Sequence, residues 1–321
     1  MKRILMAMSA AAGMLISGIG LAAYPERPIT LIVPYASGGM GTTFGNLMSE
    51  ALSPKLGQSV IVDFKPGANG SLGAAHVAKS APDGYTLLMA VNSTMAINPN
   101  LYSNLTYDPI KDFTPVSMVY TSSNILVVNA DSPYKTVSDL AVAAKANPAK
   151  LFFGSSGNGA TPHLSGEMFQ RLADAPVTHV PYKGIGPAVI ALLGKQVDFV
   201  FSDTSALPHV KAGKLRALGV TGANRLGAAP DVPTMKEAGI DGFVINTWYS
   251  IVAPAGTPKE VVERLNKEIG EVVRSPAFQE RLKAIGVDPA EDTSTQYLEK
   301  TIRTDLIKWR KFIDETGIKV G

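Results

Sequence analysis

Ile29-Thr30-Leu31-Ile32-Val33 runs into Pro34-Tyr35-Ala36-Ser37-Gly38-Gly39-Met40-Gly41-Thr42-Thr43, an apolar strand followed by a Gly/Ser loop and a helix start. Such a junction leaves the first N–H groups of the helix without intrahelical partners, with the positive end of the helix dipole behind them. It forms an anion site without any charged side chain. Four more junctions follow the same plan. Ile61-Val62 leads into Lys65-Pro66-Gly67-Ala68-Asn69-Gly70-Ser71, and Leu87–Val91 into Asn92-Ser93-Thr94. Phe152-Phe153 leads into Gly154-Ser155-Ser156-Gly157-Asn158-Gly159-Ala160-Thr161, and His179-Val180 into Pro181-Tyr182-Lys183-Gly184. In an open α/β sheet ligands bind beyond the carboxyl ends of the strands, where this chain concentrates its Gly, Ser, Asn and Thr.

Working outward, short apolar strands alternate with amphipathic stretches from Tyr24 onward, which predicts an α/β fold with largely parallel sheets. Helices are expected over Phe44–Leu52, Leu72–Lys79, Val137–Ala146, Leu164–Leu172 and Val189–Leu193. The longer and more charged stretches Lys259–Val273, Pro276–Ile285 and Thr293–Thr316 read as a helical layer packed on one domain. Two apolar runs are interrupted by small polar residues: Met118–Val128, broken at Ser122-Ser123, and Phe243–Val252, broken at Asn246-Thr247. Side by side, they would form a hinge between two lobes. That division assigns residues 24–123 plus 246–321 to a discontinuous first lobe and 124–245 to a second. A chain of this size exceeds one ordinary core, consistent with two domains.

The first residues read as an export signal, residues 1–23. Lys2 and Arg3 precede an apolar stretch from Ile4 to Leu21, and Gly20-Leu21-Ala22 fits a small-residue cleavage site. A membrane anchor is the alternative reading of the same stretch. A periplasm-like destination is expected. The chain has 30 basic and 27 acidic side chains, and setting aside Lys2 and Arg3 leaves 28 against 27. Near-neutrality of this kind argues against nucleic acid as a partner. The chain has no cysteine, which removes disulfides, thiolate nucleophiles and zinc–thiolate sites together.

Enzyme signatures are weak. Gly154-Ser155-Ser156-Gly157-Asn158 approaches a nucleophile elbow but fails at its last position, where Asn replaces Gly. Phosphate-loop and dinucleotide fingerprints are missing, and His76, His163, His179 and His209 show no metal-ligand spacing. No metal or cofactor is expected. His163, directly after the Gly157–Thr161 loop, either touches a ligand or is an ordinary first-turn residue. Asp203 reads as a helix cap ahead of a ligand contact, and Trp248 as hinge packing or a cleft wall. An exported hydrolase using Ser155 or Ser156 with His163 is the rival from another class, and it lacks a visible carboxylate partner.

Stretches along the whole length resemble the periplasmic receptors of tripartite tricarboxylate transporters, the Bug or TctC-like family. They include Tyr24-Pro25-Glu26-Arg27-Pro28-Ile29, Val33–Gly39, Lys65–Gly70 and Ala81-Pro82-Asp83-Gly84-Tyr85-Thr86-Leu87. Others are Ile97-Asn98-Pro99-Asn100-Leu101-Tyr102, Tyr107-Asp108-Pro109, His179–Gly184, Gly213–Leu218, Pro230-Asp231-Val232-Pro233-Thr234 and Ala253–Pro258.

The resemblance implies a two-lobed type II periplasmic binding fold with a two-strand hinge. Such a receptor is non-catalytic, closes on a small carboxylate and hands it to a membrane permease, working as a monomer. A sensing subunit reporting to a membrane kinase would share the same binding chemistry. The resemblance places one carboxylate on Ser37, Gly38 and Gly39 with Asn69, Gly70 and Ser71. Tyr35, Thr42 and Asn92 belong to the same set of strand-end loops. Across the cleft it places the Gly157–Thr161 loop, with Asn158 and Thr161, and the Ser202-Asp203 turn; Ser155 and His163, which flank that loop, complete the candidate set. The family often has an Asp shortly after the first-loop glycines. Thr42 stands at about that position here, which weakens an amino-acid ligand and leaves dicarboxylates and aromatic carboxylates open.

Overall fold

A computed structural model describes residues 24–37 and 39–318. The expected export signal, Gly38 and the last three residues lie outside the described residues. The chain begins with β1 (Ile29–Val33), α1 (Met40–Leu56), β2 (Val60–Phe64), α2 (Ser71–Ala78), β3 (Thr86–Val91), α3 (Asn98–Leu101) and β4 (Phe113–Ser123). It continues with β5 (Ile125–Asn129), α4 (Val137–Ala146), β6 (Phe152–Ser155), α5 (Thr161–Leu172), β7 (Thr178–Pro181), α6 (Ile185–Leu193), β8 (Phe199–Ser202), α7 (Leu207–Lys211) and β9 (Leu215–Val220). It ends with β10 (Asn246–Pro254), α8 (Lys259–Arg274), α9 (Pro276–Ala284), β11 (Asp288–Pro289) and α10 (Thr295–Thr316).

The strands form two sheets, ordered β11-β4-β10-β3-β1-β2 and β7-β6-β8-β5-β9. Within each, the strands of the Gly/Ser junctions are parallel: β1 with β2 and β3, and β6 with β7 and β8. The sheets are otherwise mixed, where a largely parallel arrangement was expected. β10 runs antiparallel to both β3 and β4, and β5 antiparallel to β8 and β9. The reason is topological: β4 leaves the first sheet towards the second and β10 brings the chain back, so the two must point in opposite directions.

β4 and β10 pair along their length up to Ser123 opposite Asn246. The join continues into the second sheet, where the Thr221 N–H donates to the Asn124 carbonyl (2.9 Å) and the Ile245 N–H to the Thr221 carbonyl (2.8 Å). The second apolar run becomes strand only from Asn246 onward. Its first part is used differently, with Phe243 and Ile245 buried in the core of the second sheet.

Apolar layers cover both faces of each sheet. Phe44, Met48, Leu265 and Ile269 of α1 and α8 bury one face of the first sheet, and Ala74, Val77 and Ile302 lie against the other. Phe153, Phe169, Phe199 and Phe201 form the centre of the second. Burial of this kind is the main favourable term for both cores.

The C-terminal helices do not form a layer on one domain. α8 and α9 pack on the first sheet, but α10 crosses between the two. Its Leu298 and Ile302 lie in the first core, and Trp309, Phe312 and Ile313 in the second. Polar ties follow the same path: Trp248 Nε1 donates to Asp305 Oδ2 (2.7 Å), Lys308 Nζ to the Val244 carbonyl (3.3 Å), and Arg171 pairs with Glu315 (2.7 Å). Trp248 is therefore packed beneath α10 and does not line a cleft. Among the described residues no helix is long and apolar enough to cross a membrane.

Candidate functional site

The two sheets present their junction loops to one another across a cavity of about 840 Å³, a size suited to a small organic ligand. From the first sheet come Tyr35, Ser37 and Gly39 after β1, Asn69 and Gly70 after β2, and Ser93 after β3. From the second come Ser156, Ala160 and Thr161 after β6, Lys183 and Gly184 after β7, and Asp203 after β8. The paired strands supply Ser122, Thr247 and Tyr249 at the floor.

Four helices start at this wall, α1, α2, α5 and α6, and none has a side-chain cap; their N-cap residues are Gly39, Gly70, Ala160 and Gly184. Elsewhere α4, α9 and α10 carry side-chain caps, while α3, α7 and α8 do not. The Thr136 side chain accepts from the Asp139 N–H, that of Ser275 from the Phe278 N–H and that of Ser294 from the Tyr297 N–H. Capping oxygens normally satisfy the free N–H groups of a first turn. At the cavity no side chain takes the first-turn donors of α1, α5 and α6, whereas at α2 the Ser71 and Leu72 N–H groups already donate to the Ala68 and Gly67 carbonyls; the helix dipoles favour a negative ligand. No arginine lines the cavity among the described residues; Lys183 is its one cation and Asp203 its one anion.

Backbone geometry holds the second loop in place. Asn69 has φ 50° and Gly70 φ 88°, the left-handed region. A Cβ on Gly70 would lie 2.8 Å from Thr94 Cγ2, so the approach to the β3 end needs glycine. Buried Asn98 clamps the loop: its Nδ2 donates to the Asn69 carbonyl and to Ser71 Oγ, and its Oδ1 accepts from Asn69 Nδ2, each at 2.9 Å. Beyond β3 the chain makes a single wide π turn over Ser93–Ile97, which brings Ser93 to the wall.

Several expected contacts do not reach the wall. Ser71 is buried as an acceptor for Asn98, and Asn92 Nδ2 donates to the Asn246 carbonyl (2.9 Å), tying β3 to the start of β10. Thr42 lies past the wall residues Met40 and Gly41, where the turn of α1 carries it aside. Asn158 is exposed outside the cavity, and Ser202 is turned inward by strand alternation while Asp203 faces the cavity.

Ser155 and His163 lie beneath the loop they were expected to present. Ser155 Oγ is 2.6 Å from His179 Nε2 and accepts from the Gly157 N–H (3.1 Å). His163 Nδ1 accepts from the Gly159 N–H (3.0 Å), its Nε2 lies 3.5 Å from Glu167, and its ring stacks on His179 at 4.0 Å. His163 thus bonds to Gly159 and neither to Ser155 nor to Ser156, so the serine–histidine arrangement pictured for a hydrolase does not form. Burial, with the His163 ring beside it, pushes His179 down to about 3, which keeps it neutral as this packing needs.

Asp203 caps the short turn Thr204–Ala206, Oδ1 accepting from the Ser205 N–H (2.9 Å), and also faces the cavity; its surroundings raise its pKa by desolvation. Sequence reasoning missed Ser93, Ser122, Asn124, Lys183, Thr247 and Tyr249 as wall residues. Ser122 and Thr247 carried a usable signal, being among the polar interruptions of the two apolar crossings.

Two α/β lobes joined by paired strands, with uncapped helix starts facing a shared cleft, define a two-lobed periplasmic binding protein of type II. The family model described as "Tripartite tricarboxylate transporter family receptor" (TctC) matches residues 45–318, and the chain belongs to that family. Protein BugT of Bordetella pertussis is 36% identical over 316 residues, covering 96% of this chain and 97% of BugT. Among solved structures, an R. palustris protein with adipate has a TM-score of 0.88 at 34% identity, covering 92% of this chain and 99% of that one. MatC from Rhodopseudomonas palustris with bound malate has a TM-score of 0.83 at 31% identity, covering 90% and 100%.

Proposed function

We propose that this protein is an exported receptor that captures a small carboxylate between its lobes and delivers it to the membrane permease of a tripartite tricarboxylate transporter. One observation carries the reading: four helix starts without side-chain caps converge on a cavity that no arginine lines among the described residues. Backbone N–H groups and hydroxyls hold a carboxylate more weakly than a bidentate guanidinium does, which suits a ligand that must be released. The relatives solved with adipate and malate support a small dicarboxylate.

Residues 24–123 with 246–321 act as one lobe and 124–245 as the other, and ligand contacts on both faces favour the closed state. The end of α10, seated in the second core, bends or slides as the lobes close. The chain performs no chemistry on its ligand, works as a monomer in the periplasm and needs no cofactor.

The test is thermal unfolding of the mature protein against a panel of C4 to C9 dicarboxylates, citrate, benzoates, aspartate and glutamate. A ligand at about 100 times its Kd adds about 2.7 kcal/mol, a shift of several degrees. A panel without any shift, with a different molecule co-purifying, overturns the reading. Uptake of the hit by cells, lost on deleting either the receptor or its permease, separates delivery from sensing.

A further inference from the structure

At the cavity floor the two lobes bring together groups that the helix starts do not explain. Ser122, near the end of β4, is only 4% exposed, and its hydroxyl has no protein partner. Tyr120 precedes it by two positions on the same strand and therefore on the same face; its buried hydroxyl is also unpartnered. The Tyr120 ring stacks on Tyr249 of β10 at 4.5 Å, and Tyr249 and Ser122 both line the cavity. Asp203 faces them from the second lobe. It lines the same cavity as Ser122 and Tyr249, and it adds to the upward push that burial gives both tyrosines, at Tyr120 after the contribution of Tyr249.

Buried hydroxyls are almost always hydrogen-bonded, and an unpaired one next to a binding cavity requires an explanation. The missing partner must accept from Ser122 or Tyr120 and also satisfy Asp203. Asp203 Oδ1 accepts from the Ser205 N–H, and a carboxylate has further lone pairs with which to accept from a ligand donor. A carboxylate can only accept and would face the Asp203 charge. An ammonium could pair with Asp203 but can only donate, which leaves the Ser122 and Tyr120 protons without an acceptor. A neutral hydroxyl does both, accepting from Ser122 and donating to Asp203.

We propose that Asp203 and Ser122, backed by Tyr120, form a specificity subsite for a hydroxyl group on the ligand, so that the receptor selects a hydroxy-dicarboxylate over the unsubstituted diacid. This rests on the carboxylate-receptor reading above and narrows it. The carboxylate is held at the helix starts and the hydroxyl is read at the floor, where the two lobes meet. Closure assembles the subsite, because its carboxyl comes from one lobe and its serine from the other.

The experiment is calorimetric titration of the mature protein with matched sets at three chain lengths. These are succinate, malate and aspartate; glutarate, 2-hydroxyglutarate and glutamate; adipate, 2-hydroxyadipate and 2-aminoadipate. The hydroxy acid of the best-fitting length is expected to bind at least about tenfold more tightly than its unsubstituted partner, the worth of one hydrogen bond to a charged group. Asp203→Asn keeps a capping oxygen for Ser205 but presents an NH2 donor to the cavity, and it should bring the hydroxy-to-plain ratio close to one. Ser122→Ala, which leaves the cap untouched, should reduce the same ratio several-fold. Equal binding of plain and hydroxylated acids, tightest binding of an amino acid, or a ratio unchanged in both variants each overturns the subsite while leaving the carboxylate receptor in place. Binding of no acid in any set, by a protein that also ignores the wider carboxylate panel, removes the receptor reading and the subsite with it.

Discussion

Replacing Gly39 by Glu introduces a negative charge where the anion is proposed to sit while leaving the fold intact. Gly39 is the N-cap of α1, with φ −117° and ψ −165°, a conformation open to any residue, and a Cβ built on it meets nothing within 4 Å. It lines the cavity, so a longer side chain extends into open space. A carboxylate about 5 Å from a bound one, at an effective dielectric near 20, is opposed by about 3 kcal/mol, a loss of about two hundredfold in affinity. Gly39→Gln has nearly the same size without the charge and separates crowding from repulsion. Titration of both variants with the best ligand of the wild type, alongside their melting curves without ligand, reads the two effects. The expected result is a loss for Glu at least tenfold beyond that for Gln, with both melting close to the wild type. Equal losses reduce the effect to crowding, and full affinity in Gly39→Glu removes the first loop from the anion site altogether.

Three further outcomes are expected. Gly166→Ala places its Cβ 2.1 Å from Phe153 Cε2; Phe153 is buried and must move, so stability to denaturant should fall by about 1–3 kcal/mol. Ligand affinity should fall with it, since the Phe153 ring stacks on His179 and His163 beneath the Gly157–Thr161 loop. His179 is pushed down to about 3 from an ordinary 6.5, so between those values the unfolded chain binds the extra proton. Stability should be undiminished above about pH 6.5 and fall on acidification by at most about 1.4 kcal/mol per pH unit, less because the ring is only half-buried. His179→Gln should flatten the dependence of the melting temperature on pH across that window, and an unchanged slope would assign the acid sensitivity to other groups. Trp309→Ala removes a side chain that is 1% exposed in the second core and should cost about 3–5 kcal/mol. Hydrogen exchange should then show lost protection in β5 and β8 as well as along α10, a pattern that does not arise if α10 packs on the first lobe alone.

Local structure was legible in the sequence wherever neighbouring residues control it. The strand–loop–helix junctions at Val33, Phe64, Val91, Ser155 and Pro181 follow from apolar runs that end in Gly, Ser, Asn or Pro. Helix starts and stops follow from Thr136, Ser275 and Ser294 as caps and from Gly57 and Gly317, both left-handed, as terminators. Parallel strands with crossover helices then send the junction loops of a lobe to one edge of its sheet, so the chain alone indicates which edges border the cavity.

Which side of each loop faces the cavity depended on contacts between residues far apart in the chain. Ser155 and His163 occur in the expected loop, yet they point inward because His179, from the neighbouring strand, offers a hydrogen bond and a ring to stack on. Ser122, Thr247 and Tyr249 become the floor only because β4 and β10 pair across more than a hundred intervening residues. α10 has the charge pattern of any surface helix, and only packing reveals that its last turns belong to the second core. The sequence by itself determined most of the helices, the ends of the junction strands and the family, because local backbone preferences and short motifs carry them. The tertiary structure alone decided the inward and outward faces of the loops, the floor of the cavity and the path of α10 between the two cores, because each requires two distant segments to meet.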